Sequence, residues 1–176
     1  MVQKSNSPIY RLQNSKIDFD GPQLEKFKTI FSKLAPPTKL NFSSASVTVE
    51  QIKSIPLGLY KKMEKPLVIK DEMANLTGYE AWRKVGSLAN SKLIESIEIL
   101  DTETINLDYD QLKGGAAILE KISGKYNISV SNVIASNANA VSLMPSVTKV
   151  NIRDSIDKVL FLGTNLQKIS DLNKLG

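Results

Sequence analysis

Four carboxylates lie close together ahead of a predicted helix: Asp101, Glu103, Asp108 and Asp110. Oxygen ligands at such short spacing are the kind that a calcium ion prefers. Asp108, however, stands where it would cap that helix, and no glycine-containing loop wraps the group. The four residues are therefore candidates for calcium binding, but we predict that the chain holds no metal and no other cofactor.

The residue types that most enzymes use are missing or unspecific. The chain contains no cysteine and no histidine, which removes thiolate chemistry, disulfides, the usual zinc ligands and imidazole acid–base catalysis. No Gly-x-Ser-x-Gly motif occurs, and Gly114-Gly115 lacks the glycine spacing and the following lysine of a phosphate loop. A carboxylate pair for glycoside hydrolysis can always be chosen from 18 acidic residues, so it indicates nothing. We predict no catalytic residues and expect that the protein is not an enzyme.

The positive charge is not of the kind that binds nucleic acid. The net charge is +5, but only three of the 23 basic residues are arginines: Arg11, Arg83 and Arg153. Arginine forks are preferred for phosphate and base recognition, whereas these lysines are interspersed with acidic residues as on solvated helix faces. No apolar run approaches membrane-spanning length, and residues 1–15 contain no apolar core of a signal peptide. We expect no nucleic-acid partner and no membrane insertion.

Aromatic side chains are the remaining candidates for ligand contact. Five of them have faces that can stack on a sugar ring: Tyr60, Tyr79, Trp82, Tyr109 and Tyr126. Trp82, however, is in phase with Val85 and Leu88 on one side of a predicted helix, so core packing is the better interpretation of that residue.

Short strands that alternate with short helices must position these residues. Apolar residues alternate with polar ones over residues 16–20, 39–43, 66–71, 127–131 and 149–154, as in half-buried strands. Capping boxes are predicted to open helices at Thr48, Thr77 and Asp108, and Asp20 caps a first helix with Ile30 on its apolar face. Residues 95–100 and 104–107 form one interrupted strand, a bulge or two neighbouring strands.

These elements recur with a regular period. Ile17 and Leu40 are 23 residues apart, Ile105 and Ile128 are 23 apart, and Ile128 and Val150 are 22 apart. That is the length of one βα solenoid coil, in which each helix crosses back in the right-handed sense. We predict an α/β fold, a right-handed βα solenoid with a parallel sheet on one side and short helices on the other.

The repeats divide the chain into an arm and one solenoid domain. Residues 1–15 are the N-terminal arm, and the solenoid covers residues 16–176, with irregular repeats over 16–93 and regular ones over 94–176. Strand alternation also predicts ten core residues between sheet and helices: Ile17, Phe19, Leu40, Phe42, Ile97, Ile99, Ile128, Val130, Val150 and Ile152.

The last part of the chain resembles a known class of repeat. The runs that carry the resemblance are Glu95-Ser96-Ile97-Glu98-Ile99-Leu100-Asp101, Ile105-Asn106-Leu107-Asp108, Ile128-Ser129-Val130-Ser131 and Val147-Thr148-Lys149-Val150-Asn151-Ile152-Arg153-Asp154. Over residues 94–175 they resemble the tandem strand-helix repeats of large secreted bacterial surface proteins, which are RTX-associated, adhesin-like or S-layer-like. The resemblance implies an extracellular scaffold or adhesive role.

The expected function follows from this resemblance. We expect a non-enzymatic structural or adhesive repeat module of a bacterial cell-surface or secreted protein, whose partner is another protein or a cell-surface glycan. The alternative is a stand-alone leucine-rich-repeat-like domain that binds protein on its sheet face. The location is extracellular or at the cell surface, as part of a longer chain, or cytoplasmic if this is the complete gene product. The strand at 150–152 would be the last one, and its open edge predicts self-association through the C-terminal edge strand.

Overall fold

The computed structural model describes residues 16–19, 39–42 and 46–159, together with individual positions between 23 and 33. Seven strands are described, in chain order: β1 (Lys16–Phe19), β2 (Lys39–Phe42), β3 (Leu67–Asp71), β4 (Ile94–Ile99), β5 (Thr104–Asp108), β6 (Asn127–Val133) and β7 (Val147–Ile152). Seven helices with defined bounds lie between them: α1 (Val49–Ser54), α2 (Leu57–Tyr60), α3 (Met73–Thr77), α4 (Tyr79–Asn90), α5 (Tyr109–Gly114), α6 (Ala116–Leu119) and α7 (Ala135–Ser142). Residues 156–159 and individual positions between 23 and 30 are also helical. The predicted arm at 1–15 and the C-terminal segment 160–176 lie outside the described residues.

All described strand pairs are parallel, as predicted. β1 pairs with β2, β3 with β4, and β6 lies between β5 and β7. The register places apolar residues opposite one another, and Ile105 is the partner of Ile128 across 23 residues of sequence. Parallel strands need a crossover connection, which the short helices provide. The protein is therefore a mixed α/β fold whose sheets are parallel.

The described strands form three sheets rather than the one sheet expected from the sequence. Single parallel bridges link neighbouring segments, at Leu40 with Met63 and at Ile97 with Ile122. The two strand-like pieces between residues 95 and 107 are separate strands, because β4 pairs with β3 whereas β5 pairs with β6. Within the described residues, no sheet closes into a barrel.

The core lies between the strands and the helices, as alternation predicts. Of the ten predicted core residues, five are at most 3% exposed: Leu40, Ile97, Ile128, Val130 and Val150. Ile99 and Ile152 are partly buried and pack against the core. The side chains of Ile17, Phe19 and Phe42 lie outside the described part of the chain, as does Asp20. Ile30 is helical as predicted but 47% exposed.

Two of the three capping boxes predicted around α1, α4 and α5 are present. Thr48 caps α1 and Asp108 caps α5, each with both reciprocal bonds of the box. The box at Thr77 is wrong, because Thr77 is the last residue of α3 and its hydroxyl donates to the Met73 carbonyl at 3.0 Å. Gly78 precedes α4 without a side-chain cap. Among the described helices, none is long and apolar enough to cross a membrane.

Candidate functional site

The four carboxylates that the sequence singles out for calcium have different surroundings in the structure. Asp101 Oδ1 accepts a hydrogen bond from the Met73 backbone N–H at 2.8 Å, at the start of α3. Asp108 caps α5 as predicted. Glu103 and Asp110 are exposed. Nowhere in the described part of the chain do three acidic side chains come together as a metal-binding group.

Aspartates at strand ends instead cap helices that are distant in sequence. Asp71 ends β3, and its Oδ2 accepts from the Val49 N–H at 2.7 Å, at the start of α1 and across 22 residues. Asp101 follows β4 and caps α3 across 28 residues. Asp154 follows β7 and accepts from the Ala135 N–H at 3.2 Å, at the start of α7 and across 19 residues. Each bond satisfies an N–H that the helix itself leaves unpaired and ties that helix to a later strand.

A groove of about 670 Å³ lies between α4 and α5. Sites for small ligands fall between about 300 and 1,000 Å³. The lining includes residues of both helices, among them Tyr79, Trp82, Arg83, Asn90 and Asp110. The groove therefore brings together two of the aromatic residues considered for ligand contact, Tyr79 and Trp82, and two of the candidate carboxylates, Asp108 and Asp110.

The floor of the groove is a closed set of internal contacts. Trp82 is 5% exposed, and its Nε1 donates to the Gln111 carbonyl at 3.1 Å. Gln111 Nε2 donates to the Thr77 carbonyl at 2.6 Å. Gly115 packs so tightly on the Trp82 ring that a Cβ at this position would overlap it. The polar groups of the floor are therefore paired within the chain.

The rim of the groove, in contrast, carries polar groups without partners. Tyr79, Arg83, Ser87 and Asn90 follow one another at spacings of 4, 4 and 3 along α4, so they share one face of that helix. All four are exposed, and Asp110 is exposed on the opposite side. None of these side chains forms a hydrogen bond or ion pair with another described residue. The spacing is readable in the sequence, although this polar stripe was not among the predicted site residues.

Of the five aromatic residues considered for stacking on a ligand, only Tyr79 is well exposed, at 75%. Tyr60 is 1% exposed, its hydroxyl donates to the Ile52 carbonyl at 2.7 Å, and burial raises its pKa. Tyr126 and Tyr109 are partly buried. Trp82 packs in the core together with Val85 and Leu88, as predicted.

Two further depressions flank α4. One, of about 720 Å³, is lined by Arg83 and Lys84, and the other, of about 540 Å³, by Tyr79 and Asn75. The Lys84 ammonium donates to the carbonyls of Lys53 at 2.7 Å and Ile55 at 2.9 Å, and desolvation lowers its pKa. These hydrogen bonds hold the Lys84 side chain at the end of α1. Tyr79 and Arg83 each line two of the three depressions, so the depressions adjoin one another along α4.

The second unusual surface lies toward the C-terminal end of the described chain. β7 pairs only with β6 among the described strands. The segment 134–159 also carries exposed large apolar side chains: Ile134 at 46%, Leu143 at 67%, Met144 at 41%, Ile156 at 73% and Val159 at 37%. A strand edge that lacks a described partner and lies beside apolar surface is an arrangement through which protein chains can associate.

Comparison with known proteins identified no related family or protein. The chain matches no model of a known protein family, and no curated protein is significantly similar to it in sequence.

Proposed function

We propose that this chain is a non-enzymatic structural or adhesive repeat module of a bacterial cell-surface or secreted protein, folded as a right-handed βα solenoid. The observation that carries the proposal is the in-register stacking of strands one period apart. β5 lies directly against β6 with Ile105 opposite Ile128, and β1 lies against β2 with Ile17 opposite Leu40. Equivalent apolar residues in neighbouring coils make such contacts in solenoids.

The long-range aspartate caps support the same architecture. Asp71, Asp101 and Asp154 each connect the end of a strand to the start of an earlier helix. A recurring contact between a strand and the helix of the preceding coil is expected where each coil rests only on its neighbours. The right-handed sense rests on the general rule that parallel strands joined by a crossover connect in that way.

The repeat architecture is tested by deleting one coil. Residues 104–126 are one period of 23 residues. The two residues that the deletion would join are already neighbours, because the Asn127 N–H donates a hydrogen bond to the Glu103 carbonyl at 2.7 Å. Deletion of 104–126 should leave a chain that unfolds cooperatively at a lower Tm, because β6 can occupy the place of β5. The control is deletion of 104–115, about half a period, which should not fold. If the variant that lacks one coil is as unfolded as the variant that lacks half a coil, the repeat architecture is contradicted.

The surface role is tested on intact cells of the bacterium that produces the protein. Antibody labelling and mild external proteolysis should detect the chain without breaking the cells, while a cytoplasmic enzyme serves as the control for lysis. A chain that becomes accessible only after lysis would overturn the surface role.

A second candidate, a leucine-rich-repeat-like domain that binds protein on its sheets, is favoured by one row of residues. Asn106, Ser129 and Lys149 are register partners across β5, β6 and β7, and Asn106 and Lys149 are exposed. Polar side chains in one row across parallel strands are suited to contact a protein surface. Binding of a protein partner that Lys149→Glu abolishes, and that changes in the α4–α5 groove leave intact, would establish this alternative.

A further inference from the structure

We infer that the groove between α4 and α5 is a binding site for a neutral oligosaccharide. The inference rests on the proposed adhesive role and assigns that role a ligand class and a site. It draws on three separate properties of the groove: the groups on its rim, its balance of charge and its continuation along α4.

The rim matches the chemistry of a sugar. A pyranose ring has an apolar C–H face and an edge of hydroxyls that both donate and accept hydrogen bonds. Tyr79, which is 75% exposed, supplies an aromatic face on which such a ring can stack. Arg83 donates only, Asp110 accepts only, and Asn90 does both. These planar groups can each engage two neighbouring hydroxyls.

The charge of the groove favours a neutral ligand. Arg83 is the only cationic residue in the lining, and the carboxylates of Asp108 and Asp110 lie there as well. A phosphate or an acidic sugar would meet these two carboxylates with one guanidinium to balance them, so electrostatic repulsion disfavours it. An entirely apolar ligand would cover the unpartnered polar groups of the rim, which costs free energy when their hydrogen bonds are not replaced.

The surroundings favour an oligosaccharide over a single sugar. Tyr79 lines both this groove and the depression beside α3, and Arg83 lines both this groove and the depression beside the end of α1. A chain of sugars can therefore continue from one depression to the next along α4. Because Trp82 and Gln111 in the floor are already held by internal hydrogen bonds, we expect little conformational freedom to be lost when the ligand binds.

The chain carries its own reporter for this site. Trp82 is the only tryptophan, and it lies in the floor of the groove. Titration of the full chain with cellotriose, maltotriose, chitotriose and a galactose trisaccharide, followed by tryptophan fluorescence and calorimetry, should give saturable binding to at least one of them. Tyr79→Ala should weaken that binding about tenfold, because it removes the stacking ring. Arg83→Ala and Asp110→Asn should weaken it by a similar factor.

Matched substitutions outside the groove are the controls. Arg153→Ala and Glu95→Gln remove the same charges from exposed residues, and neither residue lines the groove. Both should leave the affinity unchanged, and all five variants should melt within a few degrees of the parent chain. Absence of binding to every trisaccharide would overturn the inference. Binding that the three groove variants leave unchanged would also overturn it, because the ligand would then lie elsewhere.

The outcome is separable from that of the proposed function. Detection of the chain on intact cells does not depend on the groove, so a surface protein that binds no sugar would refute this inference alone. A cytoplasmic chain would refute the surface role, whatever the titration shows. Binding of a protein or peptide that the groove variants abolish, with no sugar bound, would replace the saccharide by a protein ligand.

Discussion

Gly114 and Gly115 are adjacent in the sequence but lie in different surroundings. A Cβ added at Gly115 would overlap the Trp82 ring and lie 2.6 Å from the Gln111 carbonyl oxygen, whereas a Cβ at Gly114 would meet nothing within 4 Å. Neither glycine has a positive φ. Glycine at position 115 is thus required by packing and not by backbone conformation.

We expect Gly115→Ala to destabilise the chain by about 1–3 kcal/mol, the usual cost of overpacking. Gly114→Ala, the matched control, should be neutral or stabilise the chain by up to about 1 kcal/mol, because alanine restricts the unfolded chain and favours the helix. Urea unfolding followed by the fluorescence of Trp82 measures both. Equal effects of the two substitutions would show that α4 and α5 do not pack as described.

Asp71 is the most buried of the capping aspartates, at 9% exposed. Besides the Val49 N–H, it accepts hydrogen bonds from the Glu72 N–H and from Asn75 Nδ2, both at 2.8 Å. Asp71→Ala should lower the free energy of unfolding by about 1–3 kcal/mol, since it leaves the buried Val49 N–H without an acceptor. Asp110→Ala, in which the lost carboxylate is exposed and has no partner, should stay within about 0.5 kcal/mol of the parent chain. Chemical unfolding of both variants decides whether the long-range cap contributes to stability.

At the scale of elements, Asp154 fixes the turn after β7 to the start of α7. Its pKa is held below the usual range by the hydrogen bond from the Ser155 N–H, and further by the Ala135 N–H and by Lys158. A group whose folded pKa is depressed contributes stability above its unfolded pKa, about 3.9 for aspartate, and that contribution is lost as the pH falls through the folded pKa.

As the pH falls from 5 to the point where acid unfolds the protein, the Tm of the parent chain should therefore decrease more than the Tm of Asp154→Asn, whose side chain does not titrate. Asp157→Asn is the control, because Asp157 is exposed and makes no described hydrogen bond or ion pair. Thermal melts across this pH range measure the difference. Parallel pH profiles for the parent and Asp154→Asn would mean that the cap is not formed in solution.

The segment from β4 to α5 gives a prediction about metal. Two of its four calcium candidates, Asp101 and Asp108, already accept backbone hydrogen bonds at helix starts. We expect melts with chelator and with millimolar calcium to coincide, because binding to the folded chain alone would raise the Tm. Magnesium at the same concentration controls for general salt effects. A rise of about ten degrees with calcium would show a site in this segment.

At the scale of the whole molecule, the C-terminal end of the described chain combines a strand that has one described neighbour with exposed apolar side chains. The edge of β7 and the exposed apolar residues of 134–159 predict self-association. Light scattering should show a mass that rises with concentration for the parent chain. The double variant Asn151→Pro with Ile152→Lys should remain monomeric, since it removes a backbone donor and adds a charge at the edge. Leu100→Lys, at an exposed apolar residue outside this segment, should associate like the parent, and a strictly monomeric parent would contradict an open edge.

The elements that depend on short sequence spacing could be predicted from the sequence. Alternation in Ile105 and Leu107 predicts β5, and the boxes at Thr48 and Asp108 form as expected, because their bonds join residues three positions apart. The parallel pairing also follows from the period of 23 residues. For the candidate groove, the sequence indicated Asp108, Asp110 and the aromatic residues as candidates. It did not indicate that α4 and α5 lie side by side and so bring these residues together.

Only the tertiary structure decided which distant segments meet. Asp71 bonds Val49 across 22 residues, and Gly115 lies against Trp82, although no local pattern links these pairs. The capping box predicted at Thr77 is wrong because Thr77 is the last residue of α3, a helix that the local pattern did not predict. Caps and alternation are set by interactions within a few residues, so spacing alone determines them. The groove and the long-range caps depend on how one strand-helix segment rests on the next, which a linear pattern does not contain.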